Sequence, residues 1–518
     1  MTFEPPTFPE RFNLAHYYLD ARVEERRGDR TAVVVGDDSH TYAEVQARAN
    51  RARHALGAKG IGQDDRVLML LFDGMPFVEC WFGILKAGAA FCMANPLGTE
   101  EDFDHLLDYT RCRAVVADVS CVERLAPLLA KYPGCTPFVV GATAETELPE
   151  GWTRWEPALA DASAHTENAD TSRDDIAGWL FTSGTTGKPK GAVHFHRHFA
   201  YNTECYAKGV LGLRESDVFV SVSRLFFGYG TGTNLMFPFA VGGTAVLFPD
   251  KPTAERIVEH VERHRVTVLT NVPAMIRQMV DTEGEADLSS VRICLSAGEA
   301  LPAELYERWK ARWPAAEILD GIGSAEMFHM YITNREGDVK LGSLGKLVPG
   351  YDARIVDAAG KDVPRGEVGR LWVKGDSTAL CYWRRQDESR ATFRGDWCIT
   401  ADLFRRDAEG YFYYEGRADD LLKVRGQFIS PLEIEDCLAT HPAVRECAVV
   451  GVDDGEGLTI PKAFVALREG HESSDALVTA LQEHAKAHLT RYKFPREVAF
   501  VESLPRNDRG KIMRRALI

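Results

Sequence analysis

The sequence predicts an α/β protein: a large N-terminal domain of mostly parallel, helix-covered sheets with a β-rich subdomain, then a small α/β C-terminal domain. Three observations predict it. Through roughly the first 400 residues, short β-rich apolar runs alternate with helical patterns, and such alternation implies parallel sheets covered by helices. After Asp352 the pattern changes to closely spaced strands and turns, which implies a more antiparallel subdomain. Beyond a boundary near Gly416 to Asp420 lies a βα-patterned segment of about 100 residues, the usual size of a small domain.

The first clear element is a helix. Thr41-Tyr42-Ala43-Glu44 reads as a capping box, and Tyr42, Val45, Ala49, Ala52 and Leu56 recur at three- and four-residue steps until Gly57. Arg66 to Phe72 reads as a buried strand, followed by a helix from about Pro76 to Ala87. Further strands are expected at Ala114 to Ala117, Pro137 to Val140, Ala245 to Phe248 and Val266 to Leu269. The β-rich part supplies Ala353 to Val356, Val368 to Val373 and Tyr411 to Tyr414. In the small domain, Pro431 opens a helix, strands follow at Ala448 to Val452 and Lys462 to Ala466, then a helix near Asp475 to Leu489 and a strand at Val498 to Val501. Thr143 to Thr171 is the most loop-like stretch, and there is no internal repeat.

Composition narrows the function. At 518 residues the chain can build more than one substantial core, with ordinary hydrophobic (45%) and charged (26%) contents. A net charge of −15 argues against broad nucleic-acid binding. An acidic protein that handles anions must concentrate cations locally. The eleven cysteines form no C-x-x-C pair, which disfavours zinc ribbons and disulfide frameworks and suits a reducing cytosol. Met1 to Arg11 has no apolar core of a signal peptide, and runs such as Val67 to Phe72 are too short to span a bilayer.

The most informative motif is Thr182-Ser183-Gly184-Thr185-Thr186-Gly187-Lys188-Pro189-Lys190-Gly191, flanked by apolar runs. Glycines allow close backbone approach to a ligand, hydroxyls and N–H groups donate to anionic oxygens, and lysine offsets their charge. This is a phosphate-loop composition. It is not the G-x-x-x-x-G-K-[ST] loop, because Gly184 to Gly187 is too short and proline follows Lys188.

The run resembles the signature of the acyl-adenylate-forming superfamily: acyl-CoA synthetases, adenylation domains and luciferases. Further motifs follow in that family's order. Ser296-Ala297-Gly298-Glu299 to Pro302 resembles the loop that packs against adenine, and Asp320-Gly321-Ile322-Gly323-Ser324-Ala325-Glu326 the segment whose glutamate holds Mg²⁺ on the ATP phosphates. Trp397 to Asp402 is similar to the stretch whose aspartate binds the ribose; Gly416 to Lys423 resembles the hinge, with Arg417 also reaching the ribose. Pro505 to Lys511 resembles the C-terminal lysine motif. Ala325 stands where the family commonly has threonine, with Ser324 or the hydroxyls of Thr182, Ser183 and Thr185 as compensation; Ala401 replaces a usual glycine.

The resemblance implies residues 1–416 as the AMP- and acid-binding domain and 417–518 as a mobile domain hinged near Asp419. A carboxylate must attack the α-phosphate, so two anions are forced together. Mg²⁺ on Glu326 and the Lys511 ammonium would offset the transition-state charge, and the Thr182 to Gly191 loop would hold the β- and γ-phosphates. The C-terminal domain would then rotate, withdraw Lys511 and bring the Lys423 to Gly426 loop to the coenzyme A arm, which Gly426 would let pass close to backbone.

For the acid, Phe226, Phe227, Gly228, Tyr229, His329 and Met330 look most like the benzoate-CoA ligase group. The aromatic rings offer flat apolar surface to a ring, and their bulk blocks a long acyl channel. Gly228 is expected to leave room for a ring substituent, as in anthranilate or a hydroxybenzoate, with Tyr229 or His329 as its hydrogen-bond partner. The chain's stop at Ile518 favours coenzyme A over a carrier protein as acceptor. Three alternatives stay open: an enzyme that loads a separate carrier protein, a medium-chain acyl-CoA synthetase, and a non-catalytic nucleotide-binding module.

Overall fold

The computed structural model describes residues 3–183, 188–424, 427–454, 459–490, 493–506 and 512–518. Gly184, Thr185, Thr186, Gly187, Gly426 and Lys511 lie outside the described residues.

The predicted helix forms as Tyr42–Gly57, and its capping box is complete: the Glu44 N–H donates to Thr41 Oγ1 at 3.2 Å and the Thr41 N–H to Glu44 Oε2 at 2.8 Å. It packs on the helix Met75–Lys86. A Cβ on Gly83 would sit 2.5 Å from Ala52 Cβ, so two small residues set the closeness of this pair.

The strand–helix alternation yields two sheets. In the first, Ala90–Met93, Arg66–Leu70, Ala114–Asp118 and Thr136–Val140 run parallel beside Ile176–Ser183, which pairs antiparallel with Pro189–Phe195. In the second, Glu317–Gly323, Ile293–Ser296, Val268–Asn271, Val218–Ser221, Thr244–Leu247 and Thr31–Val35 are parallel neighbours, bordered by antiparallel Met330–Thr333 and Asp38–Thr41. A core cluster containing Phe77, Trp81, Phe82, Phe199, Phe237 and Phe239 joins residues of both sheets. Alternating short runs suffice here because each parallel strand is covered on both faces.

The expected β-rich subdomain is an antiparallel sheet of Asp352–Val356, Gly369–Lys374, Trp397–Arg406, Phe393–Arg394 and Phe412–Arg417. The C-terminal segment holds the hairpin Leu422–Val424 and Gln427–Ile429, the helices Pro431–Ala439 and Asp475–His488, and a sheet of Val444–Asp453, Thr459–Leu467 and Glu497–Phe500 around its own core. Two expectations shift. The strand read as Val266 to Leu269 is Val268–Asn271. The stretch from Thr143 to Thr171 is not all loop: it contains the helix Trp155–Ala160, because Trp155 is buried against Phe138 and donates to Glu79 Oε1 at 2.8 Å.

Candidate active site

The carboxyl ends of the parallel strands in the second sheet define the site. Val218–Ser221 leads into the segment 224–230, Ile293–Ser296 into Ala297, Gly298 and Glu299, and Glu317–Gly323 into Ser324, Ala325 and Glu326. In open parallel sheets these ends present loops to ligands. Gly298 has φ +98°, a conformation that suits glycine at the turn leaving Ile293–Ser296. Gly321 and Gly323 serve a different need. A Cβ on Gly321 would meet the Ile332 carbonyl oxygen at 2.7 Å, and one on Gly323 the His329 carbonyl at 2.6 Å, so these glycines, with Ile322 between them, let Met330–Thr333 lie against the strand. Asp320 is buried, accepts the Leu301 N–H at 3.4 Å, and has its carboxyl pushed up to about 7 by burial.

Glu326 is half-buried in a short 3₁₀ turn, Ala325–Met327, and two connections fix that turn, one to the strand Pro189–Phe195 of the first sheet and one to the segment that leads into Cys381–Tyr382. The His194 Nε2–H donates to the Ala325 carbonyl at 2.7 Å, and the Ala379 N–H donates to the Glu326 carbonyl at 2.8 Å. Burial lowers the His194 pKa to about 4, so the ring is neutral and its single proton sits on the nitrogen facing that carbonyl. Tyr382 Oη donates to Glu326 Oε1 at 2.5 Å. The Lys190 ammonium stands 3.7 Å from the Tyr382 ring centre and 3.1 Å from Glu388 Oε2. Thr182 and Ser183 end the strand Ile176–Ser183, where they pair with Lys190 and Pro189. One aimed carboxylate is a fitting donor for Mg²⁺, which prefers oxygen and takes one or two protein carboxylates beside substrate phosphates. The sequence reading missed Tyr382, Glu388 and His194, because none sits in the local motifs; only the pairing of Cys381–Tyr382 with Pro189–Phe195 brings Tyr382 here.

Immediately after Glu326 the backbone makes a tight γ-turn. Phe328 has φ +68° and ψ −59°, and the His329 N–H donates to the Met327 carbonyl at 2.9 Å. For a non-glycine residue this costs on the order of 1–3 kcal/mol. The turn directs His329 into an aromatic surround: its ring lies 5.4 Å from Tyr229, 5.5 Å from Tyr206 and 4.8 Å from Phe237. Gly232 makes room for it, since a Cβ there would meet His329 Cδ2 at 2.5 Å. Burial lowers the His329 pKa to about 3. Its Nε2 faces the Tyr229 carbonyl at 3.4 Å and therefore carries the proton, which leaves Nδ1 as a buried acceptor with no partner among the described residues. Phe226 and Phe227 form a tilted pair at 4.6 Å, and Tyr229 Oη donates to the Asn271 carbonyl at 3.4 Å. Met330 is buried, and its carbonyl accepts from Asn202 Nδ2. The open space expected at Gly228 is absent: a Cβ there would meet Leu180 Cδ1 at 3.2 Å, because the strand Ile176–Ser183 carries Leu180 against this position.

Asp402 and Arg417 are register partners in the β-rich sheet, with Arg417 Nη1 3.7 Å from Asp402 Oδ1 and Nη2 3.0 Å from Asp419 Oδ2. Lys423 follows in the strand Leu422–Val424. The C-terminal segment meets the rest through Arg506 to Glu299 at 2.9 Å, Arg468 to Glu304 at 3.2 Å, and Arg277 Nη1 to the Arg445 carbonyl at 3.0 Å. Arg506 thus sets the start of the lysine motif against the loop that follows Ile293–Ser296.

Residues 19–383 match the family described as AMP-binding enzyme, and residues 433–511 match AMP-binding enzyme C-terminal domain. The chain is 40% identical to the benzoate–CoA ligase of Thauera aromatica, over 98% of this chain and 97% of that protein. It is 34% identical to the 4-hydroxybenzoate–CoA/benzoate–CoA ligase of Rhodopseudomonas palustris, over 97% and 93%. Among solved structures, an anthranilate CoA ligase in complex with anthranoyl-AMP superposes with a TM-score of 0.92 at 36% identity, over 98% of this chain and 97% of that one. A benzoate CoA ligase from Burkholderia xenovorans LB400 gives a TM-score of 0.89 at 40% identity, over 98% and 99%. The chain belongs to the AMP-binding enzyme family, the acyl-adenylate-forming superfamily. Within it, the chain stands close to the benzoate–CoA ligases.

Proposed function

We propose that the protein activates a small aromatic carboxylic acid with ATP to an acyl-AMP and transfers the acyl group to coenzyme A, releasing AMP and pyrophosphate. The observation that carries this reading is the γ-turn from Met327 to His329, which links the Glu326 carboxylate to an aromatic, imidazole-lined wall. A ring held between Tyr229, His329 and the Phe226–Phe227 pair would present its carboxylate toward the nucleotide side. Glu326 would hold Mg²⁺, whose charge would offset that of the phosphates. Tyr382 fixes the Glu326 carboxylate, Lys190 adds positive charge beside it, and Asp402 with Arg417 would hold the ribose. Thr182, Ser183 and the loop after them would cradle the phosphates, Lys511 would approach the α-phosphate, and a later turn of the C-terminal domain about Asp419 would bring Lys423 and Gly426 to the thiol arm.

The finer choice of acid follows from a lone pair. His329 Nδ1 is a buried acceptor, so a ring substituent that reached it would have to be a donor. An amino- or hydroxybenzoate supplies one and benzoate does not. Among the described residues no helix is long and apolar enough to cross a membrane; we place the enzyme in the cytoplasm, where ATP and coenzyme A are both at hand. CoA-dependent AMP formation, assayed with benzoate, 2-aminobenzoate, the hydroxybenzoates and hexanoate, tests the reading. Preference for an aromatic acid with a donor substituent is expected; preference for hexanoate would overturn the aryl assignment.

A further inference from the structure

The C-terminal segment carries a second cluster of chemistry-bearing side chains, apart from the residues assigned above. On the helix Asp475–His488, His484 and His488 are four residues apart and share one face, with ring centres 4.5 Å apart. The helix Pro431–Ala439 packs against it and brings Cys437, whose carbonyl lies 3.2 Å from His484 Nε2. Cys437, His484 and His488 each offer a ligand atom within 4.8 Å of the other two. His441 stands beside them, its ring centre 5.4 Å from that of His484 and its Nδ1 accepting from the Ala443 N–H.

We propose that Cys437, His484 and His488 bind a zinc-class divalent cation, with His441 or water in the fourth position. In a tetrahedral site with ordinary zinc–sulfur and zinc–nitrogen bonds, ligand atoms lie about 3.3–3.8 Å apart. The cluster must therefore close by about 1.5 Å at most, within reach of side-chain rotation. One thiolate and two imidazoles select zinc over magnesium, which needs oxygen donors. The field also suits a cation: both helices end at this place, so their negative ends face it. On binding, the thiol proton leaves to solvent as the sulfur–metal bond forms, so affinity rises with pH. The cation would join the last turns of two helices and stiffen the C-terminal domain without touching Glu326 or the aromatic pocket. The His484–Thr440 contact of 2.8 Å is the bond that the ring exchanges or keeps, depending on which nitrogen ligates.

Cobalt(II) is the probe, titrated into full-length protein stripped with chelator. The expected result is a thiolate-to-cobalt charge-transfer band that saturates at one equivalent, is displaced by Zn²⁺, and is absent in Cys437→Ser. His488 is exposed, so His488→Gln should keep the wild-type circular dichroism spectrum while weakening cobalt binding at least about tenfold. A wild-type protein with no such band overturns the proposal. So does a band undiminished in Cys437→Ser, which would point to thiols elsewhere such as Cys112 and Cys135, 3.6 Å apart. If Cys437→Ser does not fold, His488→Gln decides alone, and wild-type affinity in that variant rejects the site.

Discussion

Arg506 bridges Glu299 and Glu446, with Nη1 2.9 Å from Glu299 Oε1 and Nη2 2.7 Å from Glu446 Oε2. Glu446 belongs to the C-terminal sheet and Glu299 to the loop after Ile293–Ser296, so one guanidinium ties the C-terminal segment to that loop. Arg506→Gln should slow acyl-AMP formation about tenfold, the equivalent of one charge-assisted hydrogen bond of about 1.5 kcal/mol. Conversion of supplied acyl-AMP and coenzyme A to thioester should change less than about twofold. Single-turnover assays of the two half-reactions measure this, and equal losses in both would show that the bridge only supports folding.

Lys511→Ala separates the same two steps more sharply. We propose that its ammonium acts in the step in which charge builds on the α-phosphate. Acyl-AMP formation should be abolished and thioester formation from synthetic acyl-AMP largely retained. Equal damage to both steps would remove the alternating-domain reading.

Glu326→Gln keeps the shape of the side chain and removes its charge. Adenylation should fall by about 100-fold or more, with partial relief at high Mg²⁺. Tyr382→Phe leaves the carboxylate but frees its orientation, and should raise the Mg²⁺ concentration for half-maximal rate severalfold with a smaller loss of kcat. Magnesium titrations of initial rates give both numbers. An unchanged midpoint in the tyrosine variant would separate Tyr382 from the metal.

His329→Phe keeps a ring in the pocket and deletes the Nδ1 acceptor. The kcat/KM for a donor-substituted benzoate should drop roughly tenfold more than for benzoate, since a lost hydrogen bond of about 1–1.5 kcal/mol is at stake. Gly228→Ala, by pressing on Leu180, should alter all aromatic acids together. If the two acids keep their ratio in His329→Phe, the imidazole does not read the substituent.

Asp320 gives a pH signature. Its native pKa is raised by burial from 3.8 to about 7, so between these values the folded state holds a proton that the unfolded chain releases. Its contribution to stability is complete at low pH and is lost as pH rises through about 7. Asp320→Asn cannot ionise and still accepts the Leu301 N–H. The difference in Tm between variant and wild type should therefore grow in the variant's favour from pH 5 to pH 8. A difference flat with pH would show that Asp320 is ionised throughout.

The sequence by itself determined the local elements and the order of the chemistry. Thr41 and Glu44 cap their helix wherever it packs, because the capping box closes within four residues. The alternation of short apolar strands with amphipathic helices demands parallel sheets, and the motifs from Thr182 to Lys511 belong to one family whatever surrounds them. Tertiary structure decided what lies between the motifs. Tyr382 and His194 reach the Glu326 turn only because the strand Pro189–Phe195 carries one and pairs with the other's strand. Leu180 fills the place that Gly228 seemed to leave empty, since a missing side chain shows which atoms are absent and not what occupies their space. The protonated nitrogen of His329 is likewise set by a carbonyl 100 residues away in sequence, that of Tyr229. Periodicity and capping act over one or two turns of chain and can be read along it, whereas proton positions and pocket walls depend on groups that meet only when both sheets have closed on a common core.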